Sequence, residues 1–150
     1  MSAANTDTQN APSRERTREW VERAEALKPL LEAAAAEIER TQSIPEEVVD
    51  ALHDAQIFRT VLPRSVGGAE LDPATHAQVV AAIAEGDASV AWCVAQCAGA
   101  SMASAYLEPA VAQEIFADPR AVFTFGSEKC GFGSPSRSSA ASSARWNARS

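Results

Sequence analysis

Few residues in this chain combine a reactive type with a spacing that chemistry can use. Cys93 and Cys97 stand one helical turn apart, so a helix sets both thiols on one face. Two thiols can begin a metal site. No His or further Cys lies at ligand spacing to complete one, and small buried hydrophobes is the plainer reading. With Cys130 there are 3 cysteines, which do not make a disulfide framework. The 2 histidines, His53 and His76, are isolated. Each reads as a structural or surface residue, and no Ser/His/Asp triad can be built on them. Val66-Gly67-Gly68 is too short for a phosphate-cradling loop. Asp50 and Asp54 fall on faces that read as solvated. What remains is Trp92. A Trp among small residues fills a core or forms a ligand wall, through its ring and its N–H, and both readings stand at this point.

These residues sit in Gly86–Leu107, GDASVAWCVAQCAGASMASAYL, which carries no charge after Asp87. Side chains this small let a neighbouring backbone or a flat ligand approach closely. Asp87 stands where its carboxylate can accept from free N–H groups of a first turn. The stretch is expected to be the central buried helix of a bundle, from Ala88 to Leu107. It is long enough to cross a bilayer. Ser89, Gln96, Ser101 and Ser104, the near absence of Leu and Ile, and the lack of closely flanking Lys or Arg argue against that.

The 150 residues allow one domain with a real core. A formal net charge of -7 argues against a nucleic-acid surface and against anionic membrane surfaces, since both need clustered Lys and Arg. Met1 is followed by a polar run rather than a basic and then apolar signal, so a cytoplasmic location is expected.

In chain order, residues 1–12 read as a disordered tail. A helical stripe follows from a possible N-cap at Ser13: Trp20, Ala24, Leu27, Leu31, Ala34 and Ile38. Pro29 should kink or split it near Lys28. Ser43-Ile44-Pro45-Glu46-Glu47 opens the next helix with capping-box spacing and buries Val48, Val49, Leu52 and Ala55. Ile57–Leu62 is β-rich and expected to be extended. Pro63, Gly67 and Gly68 force a turn. Asp72 caps a helix over Pro73–Glu85 that buries Ala77, Val80, Ile83 and Ala84. After the central helix, Val111, Ile115 and Phe116 mark a short amphipathic helix that Asp118-Pro119 ends. Residues 121–125, AVFTF, read as a strand. Beyond about Lys129 the aliphatic pattern is lost, and residues 129–150 read as structureless.

Four features occur in a telling order: Ile44-Pro45-Glu46-Glu47-Val48, Leu62-Pro63 with Gly67-Gly68, Gly86-Asp87-Ala88-Ser89-Val90-Ala91-Trp92, and Asp118-Pro119-Arg120-Ala121-Val122-Phe123. Together they resemble the N-terminal part of the acyl-CoA dehydrogenase-like flavoproteins, most of all the flavin-dependent hydroxylase branch. The resemblance covers about residues 15–128. It implies an all-α N-terminal domain over residues 13–118, with the start of a middle β-domain at 119–128. It also implies a flavin, FAD or FMN, touched by Trp92 and Ser89 and by the strand end Thr124, Phe125 and Gly126.

The same resemblance implies an oxidoreductase. A hydroxylase of this kind acts on an aromatic or polycyclic small molecule and takes reduced flavin from a partner reductase. A dehydrogenase oxidises an acyl-CoA. Oligomerisation with a second copy is expected in either case. The carboxylate base of the dehydrogenases and the base of the hydroxylases both belong to the family's C-terminal bundle, so no catalytic residue is nominated here. The tail departs from the family where a Gly-Gly-Tyr turn and a second strand should follow, which suggests a truncation or shifted frame near residue 130. A helical interaction fragment without catalysis is the reading from another class.

Overall fold

In a computed structural model the backbone is described for residues 6–124 and side chains for 13–124. Among them there are six α-helices and no strand: α1 (Thr6–Glu25), α2 (Lys28–Thr41), α3 (Glu46–Asp54), α4 (Pro73–Ala84), α5 (Ala88–Ser101) and α6 (Pro109–Phe116). Short 3-10 turns lie at Ile57–Arg59, Arg64–Val66 and Met102–Tyr106. The all-α expectation for the helical domain therefore holds.

The stripe read from the sequence is the seam of the core. Trp20, Ala24, Leu31 and Ile38 are buried, and Leu27 and Ala34 pack against them. The break falls where Pro29 puts it: α1 ends at Glu25 and α2 starts at Lys28, with the proline in the first turn, where an N–H has no intrahelical partner to lose. The α4 helix packs on both α1 and α5, so the seam is a layered one with α4 in the middle. Gly86, at the turn between α4 and α5, makes close approach possible. A Cβ there would come within 2.8 Å of the Leu31 Cβ, so only glycine lets α2 lie so near. Gly68 serves the loop before α4 in the same way, because a Cβ there would sit 1.8 Å from the Leu62 carbonyl oxygen.

Several expectations are corrected. The first helix starts at Thr6, not after a disordered 12-residue tail, and Ser13 lies inside it. A polar run lacks a stripe to bury, but a helix satisfies its own backbone bonds without one. The cap of α3 is Pro45 and makes no side-chain cap bond, so Ser43 does not form a capping box. In α4 the buried positions are Thr75, Val79, Ala82 and Ile83, while Ala77 and Ala84 are exposed. Alanines on both sides hide which face is inward. The central helix ends at Ser101 and tightens into a 3-10 turn, and Val111 and Ile115 of α6 are largely exposed.

The two β-rich stretches are not strands. Ile57–Arg59 forms a 3-10 turn, held by the Thr60 hydroxyl donating to the Ile57 carbonyl at 3.1 Å, with Ile57 and Leu62 turned into the core. Residues 121–124 have no ladder partner among the described residues. A strand is defined by such pairing, and β-propensity alone does not supply it. Phe123 instead stacks on Phe116, centroids 5.7 Å apart.

Candidate functional site

A cleft of about 890 Å³ lies between α2, α3 and the N-terminal half of α5. Its floor is apolar, with Ile38, Ile44, Val49 and Phe58. Its polar groups come from Glu39, Gln42 and Ser43 on one side and from His53, Asp87, Ser89 and the thiols Cys93 and Cys97, and Arg120 and Val122 complete the lining. A volume in the range of small-molecule sites, with polar groups set into a mainly apolar lining, makes it the candidate site.

Helix α5 enters this cleft at its capped end. The Asp87 carboxylate accepts from the Val90 N–H at 2.9 Å and from the Ser89 hydroxyl at 2.5 Å. Ser89 is thereby fixed at the cleft edge. Cys93 and Cys97 follow at one-turn intervals on the same face, as the spacing requires. Neither thiol is activated. Burial, with Asp87 second, pushes Cys93 up, and burial, with Cys93 second, pushes Cys97 up to about 11. Both are mainly protonated at neutral pH, so neither is primed as a catalytic nucleophile. No group of three or more His, Cys, Asp or Glu is placed to hold a metal among the described residues.

His53 lies against Phe58, ring centroids 4.8 Å apart. Burial and then the Arg120 charge lower its pKa, with Asp50 opposing, so it is a neutral imidazole at neutral pH. Arg120 pairs with Asp50 across the mouth of the cleft.

Trp92 is not in the cleft. It stands beside it on the adjoining face of α5 and is 67 % exposed. This removes the core-filling reading of the indole. Gln96 and Gly99 continue its face, and a Cβ at Gly99 would meet nothing within 4 Å. Met102 and Tyr106, past the helix end, are exposed as well. The structure thus puts Ser89 and Trp92 at the same end of α5, one at the cleft edge and one outside. Thr124 is exposed and does not line the cleft, and Phe125 and Gly126 lie outside the described residues.

Sequence reasoning missed Arg59 and Arg120. The signal for Arg59 was there: a charge inside an apolar run that buries its neighbours. No helix among the described residues is long and apolar enough to cross a membrane.

No curated protein sequence matches this chain. Residues 11–128 match the family model described as acyl-CoA dehydrogenase, N-terminal domain. That span is most of the chain and coincides with the described helices and the cleft. The chain therefore belongs to the acyl-CoA dehydrogenase-like family through its N-terminal helical domain, a family of flavin-dependent oxidoreductases.

Proposed function

We propose that this chain supplies the helical wall of a flavin pocket, with Trp92 and Ser89 of α5 facing the ring system and Thr124, Phe125 and Gly126 contributing from the segment that follows. The exposure of Trp92 on an otherwise apolar, small-residue helix carries this reading. A large indole left out of the core while Ser101 and Ser104 are taken in suits a surface that another planar group covers. A Cβ at Gly99 would meet nothing within 4 Å, so no described side chain covers this part of the face. When bound, the flavin would supply the electron chemistry, and these residues would orient it and keep water away.

Within this reading we favour a hydroxylase acting on an aromatic or polycyclic molecule, with reduced flavin delivered by a reductase. The Ser-x-x-Trp spacing supports it. An acyl-CoA dehydrogenase using FAD is the alternative that the family description favours. A non-catalytic helical fragment that self-associates is supported by the exposed Met102 and Tyr106.

Titration of the purified chain with FMN and FAD, oxidised and reduced, separates these readings. Uptake that Trp92→Ala weakens roughly fivefold supports the flavin wall, since an aromatic stacking contact is worth about 1 kcal/mol. A colourless protein that takes up neither flavin favours the interaction fragment.

A further inference from the structure

Arg59 is buried, and its guanidinium meets five backbone carbonyls. Its Nε donates to Pro119 O at 2.9 Å. One terminal nitrogen donates to Val66 O at 3.2 Å and Gly67 O at 3.4 Å, and the other to Asp118 O at 2.8 Å and Phe116 O at 3.4 Å. A guanidinium has five N–H donors, so each is used. Among the described residues no carboxylate pairs with it. The charge is held by carbonyl dipoles alone: Phe116 O is the last carbonyl of α6, where a helix presents its negative pole, and Asp118 O and Pro119 O follow just beyond the helix end.

Those carbonyls belong to two segments far apart in sequence. Val66 and Gly67 lie in the turn before α4. Residues 116–119 lead directly into Arg120 and Val122, which line the cleft and form its wall from this segment. Arg120 and Val122 have few other anchors. Arg120 is half-exposed and its ion pair with Asp50 lies at the surface, where such a pair contributes little. Phe123 rests on Phe116, which is itself inside the Arg59 set.

We propose that Arg59 is the positioning residue of the cleft: it clasps residues 116–119 onto the loop before α4 and so sets where the Arg120–Val122 wall stands. The inference goes beyond the flavin reading and does not depend on it. A lysine keeps the charge, but three donors on one point cannot reach five carbonyls spread over two segments. Releasing the clasp should free the wall as a unit while α1, α4 and α5 stay packed, because their seam shares no hydrogen bond with Arg59.

The test uses no flavin, so its failure and that of the flavin reading are distinguishable. In the full chain with Cys130→Ser, maleimide labelling of Cys93 is followed by mass spectrometry together with amide hydrogen exchange. Arg59→Lys is expected to speed Cys93 labelling at least fivefold and exchange of amides 116–122 at least tenfold, with α4 and α5 amides unchanged. Asp50→Asn, which removes the surface ion pair alone, is expected to change labelling less than twofold. Equal acceleration by Asp50→Asn would overturn the proposal. So would unaltered labelling in Arg59→Lys, or loss of protection spread evenly over α4 and α5, which would make Arg59 a general core residue.

Discussion

Neither face of α5 carries a charge, and the two have opposite fates. On the inner face Val90, Val94 and Ala98 are fully buried against the seam. On the outer face Trp92, Gln96 and Gly99 meet solvent, and Ser89 meets the cleft. The largest apolar side chain of the helix is outside and a serine, Ser101, is inside with its hydroxyl donating to Ala98 O at 2.6 Å. Burial here follows which side α4 and the Ile57–Arg59 turn occupy, since charge marks neither face. The difference separates residues that hold the domain together from residues free to meet a ligand.

The widest gap between the two faces should appear in stability. Ile83→Ala, on α4 under the inner face and fully buried, is expected to cost about 2–5 kcal/mol. Trp92→Ala is expected to stay within about 0.5 kcal/mol, as an exposed substitution without buried partners does. Urea unfolding of both variants reads this directly. A Trp92→Ala loss comparable to that of Ile83→Ala would make the indole a structural residue and erase the contrast.

The same contrast explains what the sequence disclosed. The Trp20-to-Ile38 stripe was legible because charged Glu and Arg mark its other side. The caps Asp72 and Asp87 and the split at Pro29 were legible because each has a local cause. Helix α5 has no charged face, so periodicity could place it at the centre without saying which side is covered. Small residues in α4 hid Val79 and promoted Ala77 for the same reason. Ile57–Leu62 and residues 121–124 carry β-propensity, but tertiary bonds decide there: Arg59 and Thr60 turn the first, and the second has no described strand to pair with. The cleft, built from α2, α3, α5 and a segment some 30 residues beyond the start of α5, has no local signature at all.

A smaller effect sharpens the comparison at the two capped helix starts. Asp72 serves the seam. It accepts from the Ala74 and Thr75 N–H groups at 3.1 and 3.0 Å and from the Thr75 hydroxyl at 2.6 Å, and Thr75 touches Thr17 of α1. Asp87 serves the cleft edge. Asp72→Ala is expected to cost about 1 kcal/mol, while Asp72→Asn, which still caps, should cost less. The Thr75 bonds hold the Asp72 carboxyl below its ordinary value of 3.8. Its contribution is therefore fully present above that value and is lost as pH falls through the lower folded one. Thermal melts of Asp72→Asn should lose this acid dependence, and an unchanged acid limb would assign it to other carboxylates.

The smallest expected effect comes from the two histidines, one on each side of the contrast. His76 faces the loop before α4. Thr60 already donates its hydroxyl proton to Ile57 O, so at 3.1 Å the His76 Nδ1 must be the donor to Thr60 Oγ1. Protonation then adds its proton at Nε2 and leaves that bond intact, and burial alone lowers the pKa. His53, at the cleft, is lowered by burial and also by Arg120. A folded pKa below the unfolded value of 6.5 means the unfolded chain takes up protons first. Stability from both should be complete above 6.5 and decline as pH falls through 6.5 toward the folded values. Salt separates the two sides. Desolvation is indifferent to ionic strength, but the charges around His53 are screened, Arg120 and Arg59 lowering its pKa and Asp50 and Asp118 raising it. In an NMR titration at low and high salt, the pKa of His76 should hold while that of His53 moves. A His76 that moves as much as His53 would mean its side of the loop is as open to solvent as the cleft, and the division of α5 into a packed face and a free one would have to be redrawn.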